Sequence, residues 1–364
     1  MHRDAPAGLE PRTGNSLHHG LEDDLVDESE AVERRTVLKA GLLAVSAGLW
    51  PEALFQAPVV ADELKPASVI GSRELLQGLD GMSRVVEKGN VFGGGHNAAA
   101  VLASALFCRE QKLDEGTQGE ILSLVKARLL TSPIYEPRPQ EAADPGLIEG
   151  LANDLDAGIG LLRMSGHNII FANLCLKVLR ELPEAATPAR VAGLRQMVKR
   201  FGGDQAGGPR TLEQSQFADL SDETKFVHFV FEEYLKALEL YRNGKGHHGF
   251  AGHLLTTGHA LLELHRAEYQ DTAAKGVRAY WQFVRQARGR ADLGGEKLAE
   301  APPKSSTPRD RDYWIGQHKR RSGDIVSSHL LKYPYSLFAL AKEVRDDALK
   351  QRIMDTLYYL TAVS

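Results

Sequence analysis

From Ser72 onward, apolar residues recur at i, i+3, i+4 and i+7, the spacing that gathers them on one face of a helix. This pattern predicts helices over 98–111, 118–130, 147–164, 169–182, 188–201, 223–241, 253–269, 273–288, 325–344 and 348–361. Helix-breaking residues fall between these stretches: Pro183 and Pro188, Gly202-Gly203, Gly207-Gly208-Pro209, Gly244 and Gly246. No run of alternating β-branched residues competes with them. The expected fold is all-α, a multi-helix bundle or α/α ring of ten or more helices, forming a single domain over residues 62–364.

A weak repeat runs through these helices. Gly95-His96-Asn97 and Gly166-His167-Asn168 each open an apolar helix, as do Gly252-His253 and Ser328-His329, and these histidines are 71, 86 and 76 residues apart. Each interval has room for two to four helices. If the four helices form the inner layer of a bundle, their histidines converge on one cavity. If they do not, a small residue followed by a polar one is ordinary N-cap chemistry.

Thirteen histidines are the one compositional excess, and five lie between His247 and His265. His259 and Glu263, four apart, share a helix face, which suits an imidazole and a carboxylate on one metal ion. His228 and Glu232 repeat that spacing. Nitrogen and oxygen donors without thiolate suit Fe, Cu, Zn or Mn. No Glu-x-x-His pair occurs in 62–364 and no His-Glu-x-x-His anywhere, which excludes the ferritin-type di-iron and common zinc-protease patterns. A Gly-x-Ser-x-Gly elbow is missing too, and Gly93-Gly94-Gly95-His96 lacks the Lys-Ser/Thr of a phosphate loop. Without a metal, the same imidazoles can exchange protons near neutrality.

Helices that open His96-Asn97 and His167-Asn168, together with His253 to His259 within 252–264, resemble the questin oxidase-like proteins. That resemblance implies an α-helical oxygenase of polyketide-type substrates. The functional expectation is a metal-dependent oxidoreductase acting on a small organic molecule in an apolar helical cavity. His96, Asn97, His167, Asn168 and His329 are its candidate catalytic residues, with the two asparagines orienting substrate; His253, His259 and Glu263 are its candidate metal ligands. The alternative is a non-catalytic helical protein that binds a ligand or partner and uses its histidines structurally.

Composition narrows the class further. The chain is 43% hydrophobic and 25% charged, which disfavours wholesale disorder and a polytopic membrane protein. A net charge of −4 offers no basic bias toward nucleic acid. Cys108 and Cys175 cannot build a disulfide scaffold. Both fall on apolar helix faces, so two buried thiols are expected ahead of one disulfide.

Residues 1–61 read differently, as a polar leader followed by an export signal. Glu33-Arg34-Arg35-Thr36-Val37-Leu38-Lys39 and the apolar run from Ala40 to Trp50 resemble a bacterial twin-arginine signal, with Val37 in place of the usual Phe. The apolar run is about half the ~20 residues of a membrane span, so no stable span is expected after processing. Val59-Val60-Ala61 is the expected cleavage point. The resemblance implies a periplasmic or extracellular protein, recognised by the twin-arginine machinery and carried folded. These residues hold 5 of the chain's 44 Lys/Arg and 10 of its 48 Asp/Glu, which leaves the mature chain near neutral. Residues 289–322 are proline-rich and basic, and are expected to form a surface loop or lid.

Overall fold

The computed structural model describes residues 70–202, 218–244, 248–289, 306–319 and 324–361. All of them belong to one compact unit, Asp62–Ser364. The expected export signal and cleavage point lie outside the described residues.

Twelve α-helices and no strand are present among the described residues: α1 Ser72–Arg84, α2 Val91–Glu110, α3 Glu115–Arg128, α4 Leu147–Asp156, α5 His167–Glu181, α6 Pro188–Gly202, α7 Glu223–Arg242, α8 His248–Arg266, α9 Gln270–Gly289, α10 Arg311–His318, α11 Asp324–Ala341 and α12 Asp347–Thr361. The fold is therefore all-α, in keeping with a multi-helix bundle. Helices α2, α5, α8 and α11 contact one another in cyclic order and form the inner layer. The others pack outside: α1 on α2 and α6, α4 on α5 and α6, α7 and α9 on α8, α12 on α11 and α7. Every third helix is thus an inner one, and each inner helix carries one of the four repeated histidines.

Burial follows this layering. α2 is apolar on nearly its whole circumference, as a helix enclosed on all sides must be. It has the length and hydropathy of a membrane span, yet 83% of that stretch is buried inside the protein. Amphipathic α9 instead buries Tyr280, Phe283 and Val284 while Arg285 and Arg288 face outward.

Several boundaries differ from the periodicity. α2 starts well before Ala98, because Asn90 caps it by accepting a hydrogen bond from Gly94 N at 2.9 Å. Gly95, expected to open the helix, lies inside it together with Gly93 and Gly94. α4 stops at Asp156 rather than Met164; Gly158 and Ile159 donate back to Leu155 O and close its last turn. α1 has no counterpart among the expected helices. Within the expected basic loop, residues 306–319 are packed: α10 seats Trp314 at 0% exposure, and its indole donates to Pro308 O at 2.9 Å. Residues 290–305 and 320–323 lie outside the described residues.

Candidate metal centre

Three of the four inner helices, α2, α5 and α8, bring their histidine in where a glycine lets backbone approach a neighbouring side chain. A Cβ at Gly95 would stand 2.6 Å from Phe171, and one at Gly252 would stand 2.1 Å from Tyr333. Only glycine lets the helices meet there. Gly166 combines φ +89° with a would-be Cβ contact of 2.3 Å to Thr257. The Gly of each Gly-His pair is therefore a packing element; Gly95 and Gly252 lie inside their helices, and only Gly166 stands at an N-cap. His96, His253 and His329 are each the sixth residue of their helix, a turn deeper than the pairs suggest. His167 alone opens its helix.

The four rings close a square. Centroids are 4.4 Å apart for His96–His167 and for His167–His253, 5.0 Å for His253–His329 and 5.1 Å for His329–His96. Exposure is 0% at His96, 2% at His167, 6% at His253 and 5% at His329. Tyr333 stacks on His329 at 4.6 Å, and Phe92 and Phe171 wall the His96–His167 side.

Tautomers decide what the square can hold. His96 Nδ1 lies 2.8 Å from Phe92 O, and His167 Nδ1 meets Met164 O. Carbonyls only accept, so both Nδ1 atoms carry hydrogen. The Met164 carbonyl is set by three successive residues at positive φ, Met164 (42°), Ser165 (54°) and Gly166 (89°). Left-handed geometry at two non-glycine residues is strain of the kind found at working sites.

With Nδ1 protonated on both rings, two Nε2 lone pairs face each other at 2.8 Å. They repel unless a cation lies between them. A proton is disfavoured: burial pushes His167 down to about 3 and His96 well below its ordinary value. A metal ion answers the same need, since ligand nitrogens ~2.0–2.1 Å from one ion sit roughly 2.9–3.4 Å apart. His253 completes the group, and ligand atoms of His96, His167 and His253 all lie within 4.8 Å of one another. The protein contains a buried three-histidine cluster able to coordinate a transition metal ion. The carbonyl-anchored Nδ1–H groups are the outer support that fixes ring orientation in such centres.

The remaining candidates are not part of the three-ligand set. Asn97 and Asn168, 7% and 3% exposed, follow their histidines, and neither Oδ1 finds a hydrogen-bond partner among the described residues. His259 and Glu263 share a face, with Nε2 and Oε1 3.5 Å apart. They belong to a second polar cluster with Asn173, Lys177, Glu110 and Tyr335. On α7, His228 is half-buried and Glu232 exposed, and neither joins the three-histidine group. Cys108 and Cys175 are free and buried, and burial pushes the Cys108 thiol up to about 12.

Sequence reasoning missed Lys332, Tyr333, Ser336 and Lys177. Their signal is faint but present: polar residues recur along α11, in Ser328-His329-Leu330-Leu331-Lys332-Tyr333-Pro334-Tyr335-Ser336, where an outer helix would keep an apolar face. Comparison of the chain with family models, with curated proteins and with solved structures gives no match.

Proposed function

We propose that the protein is an exported, metal-dependent oxidoreductase that acts on a small organic substrate. The observation that carries the reading is the facing pair of Nε2 lone pairs on His96 and His167, each ring locked by its own backbone carbonyl. Such a pair is electrostatically incomplete without a cation. An all-imidazole set favours Fe, Cu or Zn over Mg or Ca, and Fe or Cu would supply the one-electron chemistry an oxidoreductase needs. His96, His167 and His253 would hold the ion, His329 would form the fourth wall, and Asn97 and Asn168 would orient substrate.

Two sequence resemblances support the rest. The twin-arginine pattern at Arg34-Arg35 supports export in a folded state, which suits a cofactor loaded in the cytoplasm. The likeness to questin oxidase-like proteins supports oxidation over hydrolysis. A second reading, a non-catalytic exported binding protein, draws on the near-complete burial of the rings.

The test is elemental analysis of protein purified from the compartment it is exported to. About one transition metal ion per chain is expected for a single three-ligand site, lost on replacing His96, His167 or His253 by Ala. A metal-free, correctly folded wild-type protein overturns the reading. Substrate-dependent turnover by the loaded protein separates oxidoreductase from binding protein.

A further inference from the structure

Lys332 lies three residues beyond His329 on α11 and is 2% exposed. Its Nζ makes no hydrogen bond among the described residues. A buried amine without a partner is costly, and burial drives it far below its ordinary pKa, toward the neutral form. Nζ is 5.5 Å from the centroid of Phe171, whose ring meets His96 at 5.6 Å and His167 at 5.2 Å. The amine and the two imidazoles therefore pack against the same Phe171 ring.

Lys332 also lines a cavity of about 10 Å³, together with Thr256, His259, Tyr335, Ser336 and Asn173. That space is about one water molecule, and its walls offer the two to four polar partners a buried water requires. It is too small for an organic substrate. His259 continues the chain outward: Nδ1 is 3.1 Å from Ser336 Oγ, and Nε2 is 3.5 Å from Glu263 Oε1. His259 and Glu263 then line a larger cavity of about 350 Å³ that also borders Glu110, Lys177 and Arg266.

We infer that the small cavity holds a water molecule which, with Ser336, His259 and Glu263, forms a proton route between the larger cavity and the Lys332 amine. Outward, Lys332 ammonium gives a proton to the water, and the water gives one to Ser336 Oγ. The serine O–H passes its proton to His259 Nδ1, and His259 Nε2–H releases one to Glu263, which hands it to solvent. The water, Ser336 Oγ and Glu263 each gain one proton and lose one, while His259 gains one at Nδ1 and loses one at Nε2. The net change is amine regenerated inside and a proton delivered outside, with the His259 tautomer exchanged until the return transfer restores it. The groups facing His259 suit this role: Glu263 on α8, Lys177 and Asn173 on α5, Ser336 and Tyr335 on α11, and Glu110 on α2. Burial favours neutral His259, whose Nδ1 is then free to accept from Ser336.

The use of this route by a metal centre rests on the proposed function; the route itself does not. The test is side-chain NMR of the full protein carrying nitrogen-15 lysine, with the Lys332 signal assigned by its loss in Lys332→Met. Exchange of the Lys332 Nζ protons with bulk water is expected to slow at least tenfold in His259→Gln and in Ser336→Ala. Unchanged exchange in a variant with wild-type circular dichroism overturns the route. Ser336→Ala, which removes a single oxygen, serves if His259→Gln fails to fold. A high-resolution crystal structure with a dry cavity beside Lys332 overturns it as well. Metal content measured on the same samples keeps the two ideas apart, because a metal-free protein with slowed exchange removes the metal reading and leaves the route standing.

Discussion

Gly252→Ala tests directly whether close helix approach builds the histidine centre. The added Cβ would stand 2.1, 2.3 and 2.5 Å from Tyr333 ring carbons, where carbon contacts are ordinarily about 3.5–4.0 Å. Tyr333 cannot swing aside: it is 0% exposed and stacked on His329 at 4.6 Å. Helices α8 and α11 must therefore part by about 1.4–1.9 Å, the shortfall of the closest contact from ordinary separation. Overpacking of this kind costs about 1–3 kcal/mol, or a fall in melting temperature of roughly 2–10 °C for a domain of this size. The larger effect falls on the site, since metal ligation tolerates ligand shifts of only about 0.2 Å and His253 is the next residue. Metal affinity is expected to fall at least tenfold while the protein remains folded. Gly316→Ala is the control, because nothing lies within 4 Å of its would-be Cβ; as a mid-helix site it should be neutral or gain up to about 1 kcal/mol. Thermal melts and metal titration read both quantities. A Gly252→Ala protein that melts with wild type and keeps its metal would refute the reasoning.

Three further outcomes are expected. His167→Ala should abolish metal retention and cost about 1–3 kcal/mol, because the buried Met164 carbonyl loses its donor; metal analysis and urea unfolding check this. Glu233, 2% exposed, is buried at a cost to its charge, but Arg288 at 2.6 and 2.7 Å and Lys236 hold its carboxyl below the usual range. The stability this adds is present above the unfolded carboxylate value near ~4.3 and is lost as pH falls through the lower folded value. Glu233→Gln should therefore flatten the acid limb of a stability–pH curve and cost about 1–3 kcal/mol at neutral pH; an unchanged acid limb argues against it. Replacing Arg34 and Arg35 by Lys should hold the precursor in the cytoplasm, and cell fractionation that finds unchanged export would remove the twin-arginine assignment.

The helical period alone determined the all-α class, because enclosure of a core by helices forces apolar residues onto a 3.6-residue rhythm whatever their neighbours. It also marked the four histidines, each preceded by a small residue within an apolar helix. It misplaced their depth: Gly95-His96 reads as the opening of a helix, yet Asn90 caps that helix ahead of Gly93-Gly94-Gly95 and Phe171 needs the space Gly95 leaves. Pairing His253 with His259 and Glu263 as one ligand set followed from one-dimensional spacing. In three dimensions His253 turns toward His167 on α5, whereas His259 and Glu263 face Ser336, Asn173 and Lys177. Only the tertiary structure decided that His96 and His167, 71 residues apart in the chain, meet at 2.8 Å. It alone also set the Lys332 amine against the Phe171 ring that walls them. Local periodicity reports which face of a helix is buried; the partner across that face, and hence the chemistry, is set by long-range packing that no single segment encodes.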